Sequence, residues 1–402
     1  MNKLLPVEEA RQRICDALPI LGTEQVSLEE GLGRVLAEDA ISRRTQPPFP
    51  VSAMDGYAVR AQDVVTLPSV LKVIGEVPAG KNFSGSVSSG EAVRIFTGAR
   101  VPAGADTIVI QENTEQSDKT IRVIGGEAPV GRFIRPSGLD FELGDKLITC
   151  PKLLNYRDIG LLASMNLPWL KVRKRPIISL LATGDEIVMP GDPLGENQIV
   201  SSNVIALKAF IKQKGGIAID LGIAEDNKDS LLKLAKNGLA SDLLITTGGA
   251  SVGDHDLVQS GLSDLGLKVD FWRIAMRPGK PLIFGKISDT PLLGLPGNPV
   301  SSLVCATIFL GPAIAAMQGL NNNSYPKHQA VLEGQLPSND EREDYLRGSL
   351  KILDSGITAV TPFKKQDSSV FSGMAAANCL IVRKPFAPVS HSGDLVDYIL
   401  LD

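Results

Sequence analysis

Residues 246–256, TTGGASVGDHD, form the densest group of glycines and polar side chains that could bind an anion. They follow the run 242–245, which is typical of a buried parallel strand, and they precede an apolar pattern typical of a helix. A strand, a glycine loop and a helix in that order place backbone N–H groups at the carboxyl edge of a sheet, where open α/β sheets bind anions. Glycine is also the ordinary turn residue, but the Ser and Asp residues after the glycines favour a binding site.

Three acidic residues each follow a predicted strand directly, namely Glu186, Asp226 and Asp256. Because the carboxyl ends of parallel strands meet at one edge of a sheet, we expect these carboxylates to lie at the same edge. Neighbouring carboxylates need a cation to offset their repulsion, and Mg²⁺ is the natural one. The alternative is that Asp226 caps a helix and Glu186 is a surface turn residue.

Cationic and hydroxyl side chains follow later in the same half of the chain. The turn RPGK at 277–280 supplies Arg277 and Lys280, which suit an oxyanion. Ser301 adds a hydroxyl close to the start of the last predicted helix of this region. The three histidines have no triad or metal-ligand spacing and there is no Walker motif, which argues against a nucleophilic hydrolase and a P-loop enzyme.

Three loops in the N-terminal half also carry charged residues beside glycine and proline. The prolines of TQPPFPVSAMDGYAV (45–59) hold that loop extended, and it presents Asp55. The other two are TGARVPAGAD (97–106) and GRFIRPSGLD (131–140), the second of which places two arginines and Asp140 between glycines. A stiff loop that presents a carboxylate indicates function. A domain hinge and solvated surface charges are the alternatives.

The elements that position these residues are predicted from periodicity and caps. A helix is expected at 4–18, and a second from the capping box of Ser27 and Glu30 to about Ala37. Residues 64–147 consist of short apolar runs between turn residues, which indicates an all-β domain. Residues 149–170 look helical and are expected to pack against the N-terminal helices, which would make the β region an insertion.

The second half of the chain alternates between strands and helices up to Gly319, which predicts a parallel sheet with crossover helices. Ser202 or Asn203 is expected to cap one of these helices. The strands are expected at 177–181, 217–223, 242–245, 269–275, 282–284 and 292–295. Residues 327–402 are predicted to form a small β-barrel, in which four polar residues are interpreted as surface groups: Arg347, Ser368, Ser369 and Ser372.

Composition limits the class of protein. A chain of 402 residues is too long for one core, so roughly two to four domains are expected. The net charge of −4 and the lack of a basic tract argue against nucleic-acid binding. Four scattered cysteines without a CxxC pair favour reduced thiols in the cytoplasm. The N-terminus has no signal core, and the longest apolar stretch, 300–317, suits a buried helix, so no membrane span is expected.

Seven motifs in this order closely resemble those of the MoeA family, the molybdopterin molybdenumtransferases, which include the E domain of gephyrin: PPFPVSAMDGYAV, TGARVPAGADTIV, GRFIRPSGLD, LATGDEIV, TTGGASVGDHD, RPGKP and LPGNPVSS. The resemblance covers essentially the whole chain and implies a multidomain α/β plus β fold. Its regions would be an elongated helical dimerisation region (1–53 and 141–175), an inserted all-β domain (54–140), a molybdopterin-binding α/β domain with a parallel-type sheet (176–326) and a C-terminal β-barrel (327–402).

The resemblance implies a cytoplasmic, Mg²⁺-dependent transferase of molybdenum cofactor biosynthesis. Such an enzyme inserts molybdate into adenylylated molybdopterin and releases AMP. It would be a homodimer whose active site combines the α/β domain of one subunit with β-region loops of the other. Transient contacts with the molybdopterin adenylyltransferase and with apo-molybdoenzymes are implied, whereas nucleic acid and membrane are not.

The resemblance also implies a role for individual residues. It assigns molybdopterin binding to Thr97, Asp226, Gly248, Gly249, Ser251, Asp256, Pro296 and Pro299. It assigns molybdate binding to Arg277, Lys280, Ser301, Arg347 and Ser372, which raises Arg347 and Ser372 above surface residues. It assigns catalysis to Asp55, Asp140 and Glu186, and Mg²⁺ binding to Glu186, Asp226 and Asp256. Asp55 and Asp140 match carboxylates that the partner subunit brings to the cleft.

The chain departs from the family pattern on the molybdate side, since Ser369 stands where many relatives have His and Arg277 where Lys is common. Arg keeps the charge but changes the donor geometry. Two other functions stay open. A receptor-clustering scaffold of the gephyrin type would carry a fused adenylyltransferase domain and a long linker, whereas this chain begins directly with the E-type region. A related α/β enzyme acting on nucleotide diphosphates would share the TTGG loop but lack the proline-rich loop and the β insertion.

Overall fold

The structure is a computed structural model that describes residues 4–248, 261–320 and 326–401. Its contacts divide the chain into two compact units. The first unit comprises Met1–Glu24, Gly33–Val35 and Val172–Asp402, and the second comprises Gln25–Leu32 and Leu36–Lys171. The four-region division implied by the resemblance stays a prediction.

The described residues contain helices in both units: α1 (Val7–Ala17), α2 (Tyr156–Ser164), α3 (Asn203–Gln213), α4 (Lys228–Gly238), α5 (Pro299–Met317) and α6 (Phe371–Ala376). A π-helical turn, Ala306–Leu310, lies inside α5. Short 3-10 turns are formed by Leu28–Gly31, Ala61–Val64, Gln111–Asn113 and Ser263–Leu265.

The strands of the first half of the chain are β1 (Thr23–Ser27), β2 (Val35–Leu36), β3 (Ala40–Ile41), β4 (Val51–Ser52), β5 (Gly56–Val59), β6 (Ser69–Val77), β7 (Glu91–Ile95), β8 (Thr107–Ile110), β9 (Thr114–Ser117), β10 (Thr120–Val123), β11 (Ile134–Arg135), β12 (Lys146–Ile148), β13 (Lys152–Leu153) and β14 (Trp169–Arg173). Those of the second half are β15 (Ile177–Thr183), β16 (Ile187–Val188), β17 (Ile199–Val200), β18 (Ile217–Ala224), β19 (Leu243–Thr247), β20 (Leu267–Trp272), β21 (Met276–Arg277), β22 (Ile283–Ile287), β23 (Thr290–Leu295), β24 (His328–Leu332), β25 (Glu343–Ile352), β26 (Thr358–Pro362), β27 (Cys379–Arg383) and β28 (Leu395–Leu400).

The first unit contains a six-stranded sheet in the order β18-β15-β19-β23-β22-β20. β15 pairs in parallel with both β18 and β19, and β19 pairs in parallel with β23, as the βα alternation predicts. The expectation of parallel strands was wrong for β22, which is antiparallel to both of its neighbours, β23 and β20. The reason is the connection. Only Ser288 and Asp289 separate β22 from β23, and so short a link allows a hairpin but no crossover helix.

Both faces of this sheet are covered by helices, which explains the apolar runs of its strands. Leu243 and Ile245 of β19 pack in one core with residues of α3 and α5, whereas Leu244 packs in another with Leu231 and Ala235 of α4. Each fully buried Leu or Ile contributes about 1.5–3 kcal/mol to this packing. Helix α5 is long and apolar enough to span a membrane by length and composition, and 83% of its most apolar stretch is buried inside the protein.

The C-terminal residues form a closed five-stranded barrel, which confirms the predicted small β-barrel. Its strands follow the order β25-β26-β24-β28-β27, and β27 closes the ring by pairing with β25. Strand β21, which comes from the loop after β20, adds to this sheet in parallel with β25. The barrel encloses its own apolar core, which includes Leu332, Val360, Cys379 and Ile381.

The second unit is dominated by strands, as predicted for residues 64–147. A six-stranded sheet has the order β8-β5-β7-β6-β10-β9, and two apolar clusters lie against it. Two short antiparallel pairs, β4 with β11 and β3 with β12, join the chain segments that precede this sheet in the sequence to those that follow it.

The second predicted helix proves much shorter than expected. The capping box of Ser27 and Glu30 is present, but it opens only a 3-10 turn, and Val35–Leu36 is a strand. Gly31 and Gly33 explain the early end, because Gly33 has φ +70° and glycine is unfavourable inside helices. Residues 149–170 likewise contain only α2 as a helix, flanked by β13 and β14. α2 does pack against the 3-10 turn, since a Cβ at Gly31 would lie 2.9 Å from Ile159 Cδ1.

Helix capping in the first unit gives a stability prediction. Asn227 caps α4 by accepting a hydrogen bond from the Ser230 N–H at 2.9 Å, whereas Ser202 precedes α3 without any side-chain cap bond. We expect Asn227→Ala to lower the free energy of unfolding by about 1 kcal/mol. Ser202→Ala, the matched control, should change it by no more than a few tenths of a kcal/mol. Urea unfolding followed by circular dichroism measures both, and equal losses would contradict this account of the caps.

Candidate functional site

The parallel register brings several predicted site loops to one edge of the first unit's sheet. Thr183 of β15 lies beside Ala224 of β18, and Thr247 of β19 lies beside Leu295 of β23. These residues are the last of their strands, so the segments that follow them all begin at the carboxyl edge. β20 runs in the same direction as β23, because β22 is antiparallel to both, and the turn at 277–280 therefore starts from this edge as well.

Gly248, the first glycine of the TTGG loop, is required by the fold itself. It has φ +95°, and a Cβ there would lie 2.4 Å from the backbone oxygen of Thr183. Any side chain would therefore push the loop away from the end of β15. The hydroxyls of Thr183 and Thr246 beside this turn are buried and have no hydrogen-bond partner among the described residues. Gly249, Ser251 and Asp256, and with them most of the predicted anion loop, lie outside the described residues.

Asn203 links two of these loops, a role that sequence reasoning missed. Its Nδ2 donates to Thr247 Oγ1 at 3.0 Å and to the carbonyl of Gly297 at 2.7 Å. Asn203 is the first residue of α3, and the sequence suggested a cap at Ser202 or Asn203. The amide instead spans β19 and the loop after β23, so Asn203 positions both loops at the carboxyl edge.

The two described acidic residues of the proposed metal site lie on adjacent loops. Glu186 and Asp226 are both exposed, and the Asp226 N–H donates to Asp185 Oδ1 at 2.9 Å, which joins the loops after β15 and β18. In the described part of the chain no three acidic, histidine or cysteine residues form a group that could hold a metal ion. Two carboxylates at one edge provide the hard oxygen ligands that Mg²⁺ prefers, and the third predicted ligand, Asp256, is not among the described residues.

The loop after β23 leads into the buried start of α5. Pro296 is buried, Pro299 occupies the first turn of the helix, and Ser301 in that turn is only 5% exposed. A turn of the barrel docks here, because Asn298 Nδ2 donates to Ser368 Oγ at 3.1 Å and the Val300 N–H donates to the Ser368 carbonyl at 3.3 Å. The serine-rich turn of the barrel is thus attached to the helix that carries Ser301.

Arg347 builds that turn from inside, so its interpretation as a surface group was wrong: it is 1% exposed. Its guanidinium donates to the carbonyls of Val370 at 2.8 Å, Asp367 at 2.9 Å and Lys365 at 3.1 Å, and the Gln366 side chain exchanges hydrogen bonds with its backbone. A buried cation is tolerated only when its donors are paired, and here the backbone of residues 365–370 pairs them. Ser372, predicted with Arg347 as a molybdate ligand, is exposed on α6.

The turn at 277–280 presses closely on α5. Gly279 has φ +114°, and a Cβ there would lie 2.5 Å from Cys305 Sγ. Arg277 is engaged with the barrel: its Nη1 donates to Asp340 Oδ2 at 3.3 Å, and its Nη2 contacts Asp344 Oδ2. Lys280 is half-buried and has no ion pair among the described residues. The two predicted anion-binding cations therefore differ, since among the described residues only Arg277 forms ion pairs.

In the second unit, the three predicted loops form one surface. The Gly98 N–H donates to the Ser52 carbonyl at 2.8 Å, and the Ala53 N–H donates to the Phe133 carbonyl at 2.8 Å. The proline-rich loop therefore holds the loops 97–106 and 131–140 together. The short antiparallel pair β4–β11 strengthens this connection.

Two of the residues predicted on this surface are in direct contact. The Thr97 N–H and hydroxyl donate to Asp55 Oδ1 at 2.7 and 2.8 Å, and with Arg94 nearby they hold the pKa of this carboxyl below its ordinary value. Asp55 is consequently an ionised acceptor at neutral pH. Arg94 was missed by the sequence reasoning, and the signal was available in its alternation with apolar neighbours in β7. Asp140 is exposed, and its N–H donates to the Gln46 carbonyl at 3.0 Å.

Family models match three consecutive parts of the chain. Residues 5–166 match the MoeA N-terminal region (domain I and II), residues 179–316 match a probable molybdopterin binding domain, and residues 329–401 match the MoeA C-terminal region (domain IV).

Individual proteins resemble the chain over nearly its whole length. A molybdopterin molybdenumtransferase from Nostoc sp. is 38% identical over 90% of this chain and 84% of its own, and one from Haemophilus influenzae is 37% identical over 94% of both. The crystal structure of the molybdopterin biosynthesis moeA protein from Pyrococcus horikoshii OT3 is similar with a TM-score of 0.84, at 28% identity over 99% of this chain and 100% of that one.

The contacts of Arg347 predict what a conservative substitution does. Arg347→Lys keeps the charge but cannot reach three carbonyls at once. Unpaired buried carbonyls should lower the free energy of unfolding by about 2–4 kcal/mol, and amide hydrogen exchange should rise across residues 365–373.

The matched control is Arg383→Lys. Arg383 is another buried barrel arginine, bound to Ser390 Oγ and to the Pro337 carbonyl at 3.0 Å. Arg383→Lys should lower the free energy of unfolding by a similar amount, but it should not speed amide hydrogen exchange in residues 365–373. Mass-spectrometric exchange on both variants decides, and unchanged exchange in the Arg347 variant would show that the turn does not depend on it.

Proposed function

The chain belongs to the MoeA family of molybdopterin molybdenumtransferases, enzymes of molybdenum cofactor biosynthesis, and on that premise we propose that it inserts molybdate into adenylylated molybdopterin with release of AMP. The observation that carries the proposal is the meeting of four loops at one sheet edge of the first unit. These are the loops after β15, β18, β19 and β23. A substrate with a pyrophosphate needs such an edge, because backbone N–H groups and a helix N-terminus stabilise phosphate charge there.

Among the described residues, loop backbone forms most of the proposed molybdopterin-binding site. Gly248 brings the loop backbone against β15, and Asn203 fixes the distance between β19 and the loop of Pro296 and Pro299. Both features support a rigid concave edge before substrate arrives. Asp226 borders it, and Gly249, Ser251 and Asp256 complete the proposed set from outside the described residues.

The proposed Mg²⁺ ligands are Glu186, Asp226 and Asp256. The two described members offer carboxylate oxygens from adjacent loops, which fits the preference of Mg²⁺ for oxygen ligands. When bound, Mg²⁺ would offset the negative charge of the phosphoanhydride. The residues themselves position the loops, since the hydrogen bond from Asp226 to Asp185 keeps both acidic loops together.

Molybdate is the second proposed substrate, and the cations near the start of α5 are its proposed ligands. Lys280 offers a charge without a carboxylate partner among the described residues, and Ser301 lies in the first turn of α5. We propose Ser372 as a further ligand. For Arg347 we propose an indirect contribution through the turn of Ser368, because most of its donors are used by backbone carbonyls.

We also propose a cytoplasmic homodimer in which the second unit of one subunit completes the site of the other. The surface of Asp55, Thr97 and Asp140 supports this, because it brings together an ionised carboxylate and exposed polar groups that another subunit could use. Asp55 would there orient the attacking group. Transient contacts with the molybdopterin adenylyltransferase and with apo-molybdoenzymes belong to the same proposal.

The reaction itself is tested with purified protein, adenylylated molybdopterin, Mg²⁺ and molybdate. We expect AMP release that requires both molybdate and Mg²⁺, measured by chromatography. Sulfate in place of molybdate is the control, because it has the same charge and a similar shape. AMP release that is independent of molybdate, or none at all, would overturn the proposed function.

The shared site is tested with heterodimers. Lys280→Gln and Asp55→Asn homodimers should each have little activity. A heterodimer of the two, isolated with two affinity tags, should recover about half of the wild-type rate, because one of its two sites is then intact. A heterodimer of Lys280→Gln and Asp226→Asn is the control. Both of these residues lie in the first unit, so each site contains one substitution and no recovery is expected. Equal rates in both heterodimers would contradict a site made from two subunits.

A further inference from the structure

We propose that Asp340 and Asp344 set the affinity of this protein for molybdate by competing with the anion for the guanidinium of Arg277. The inference rests on the proposed function in taking molybdate as the anion and Arg277 and Lys280 as its cationic ligands. Its basis is a group of charges at the junction of the 277–280 turn with the barrel.

Strand register places the competing charges side by side. β21 pairs in parallel with β25, and Arg277 lies directly beside Asp344 in that pairing. Arg277 Nη2 contacts Asp344 Oδ2 and donates to Asn339 Oδ1 at 3.0 Å, while Nη1 donates to Asp340 Oδ2 at 3.3 Å. Each terminal nitrogen of the guanidinium therefore already has an acceptor.

The two carboxylates differ in burial. The side chain of Asp344 is 6% exposed, whereas those of Arg277 and Asp340 are 44% and 45% exposed. An oxyanion can therefore reach the outer side of the guanidinium, but Asp344 stays beneath it. Asp344 Oδ1 is buried and has no partner among the described residues, so this carboxylate depends on Arg277 for most of its compensation.

Asp340 is held in place independently of Arg277. Arg342 donates to Asp340 from Nε at 3.2 Å and from Nη2 at 2.5 Å, and this pairing lowers the pKa of Asp340 to about 2. Asp340 is thus fully ionised at neutral pH. An anion that approaches Arg277 meets a cation whose charge two carboxylates share, and it must displace at least the exposed one.

Lys280 provides the contrast within the same turn. No carboxylate forms an ion pair with Lys280 among the described residues, although Asp340 and Glu341 line the same cavity as Lys280, so its ammonium is less neutralised than the guanidinium of Arg277. Lys280 therefore supplies most of the attraction for molybdate. Arg277 contributes to molybdate binding only when its hydrogen bonds to Asp340 and Asp344 weaken.

The test compares Asp340→Asn with Glu341→Gln. Both variants remove one negative charge from the same turn, but only Asp340 contacts Arg277. Molybdate binding is measured by equilibrium dialysis, and the half-saturating molybdate concentration is measured in the AMP assay. We expect Asp340→Asn to lower the dissociation constant and the half-saturating concentration of molybdate by about three- to tenfold, with little change in kcat. Glu341→Gln should change each of these two quantities by less than about twofold.

Asp344→Asn is the second variant and should also tighten molybdate binding, because the neutral amide no longer offsets the guanidinium charge. Its thermal unfolding midpoint is recorded alongside to verify folding. The inference is overturned if Asp340→Asn binds molybdate no more tightly than Glu341→Gln. A wild-type protein that binds molybdate but releases no AMP would instead count against the proposed function, and dialysis would still decide the competition.

Discussion

The parallel register of β18, β15, β19 and β23 is the constraint on which the candidate site depends. Parallel strands must end at a common edge, and their crossover helices must cover both faces. Residues far apart in the sequence, such as Glu186, Asp226 and Gly248, thereby begin their loops together. The packing of Leu243 and Ile245 against one layer and of Leu244 against the other leaves no freedom to shift this register, because a slip of one residue would exchange the buried faces.

Buried polar groups attach the barrel to this edge. The desolvation of Arg347 is offset by the carbonyls of residues 365–370, and the turn that these carbonyls belong to binds Asn298 and Val300 through Ser368. The same turn, residues 365–370, therefore both stabilises the buried Arg347 and places a loop at the start of α5. Asn203 links two loops of the sheet in a similar way, since its amide makes both of its hydrogen bonds only when β19 and the loop of Gly297 are in place.

Local signals in the sequence predicted the strands, most helices, the barrel and the loops that meet. Those features depend on periodicity, caps and turn residues within about ten positions. The second predicted helix failed for a local reason, the glycines at 31 and 33, whereas the failures at the candidate site were non-local. The burial of Arg347 and the hydrogen bonds of Asn203 depend on partners that the chain brings together only after folding. The antiparallel β22 could have been predicted from the two-residue link to β23, whereas the pairing of β21 with β25 joins residues 67 positions apart and leaves no local trace.

The choice of arginine at position 277 has a physical consequence that charge alone does not reveal. An ammonium is a compact charge and gives most of its interaction energy to one or two nearest acceptors, whereas a guanidinium presents donors on several sides. Arg277 can therefore face Asp344 inside and solvent outside at the same time. A lysine at this position could not contact the buried carboxylate of Asp344 and an anion on the exposed side at the same time. In the proposed site, the arginine makes the pairing with Asp344 compatible with anion binding on the exposed side, so one side chain would serve both the attachment of the barrel and the binding of the anion.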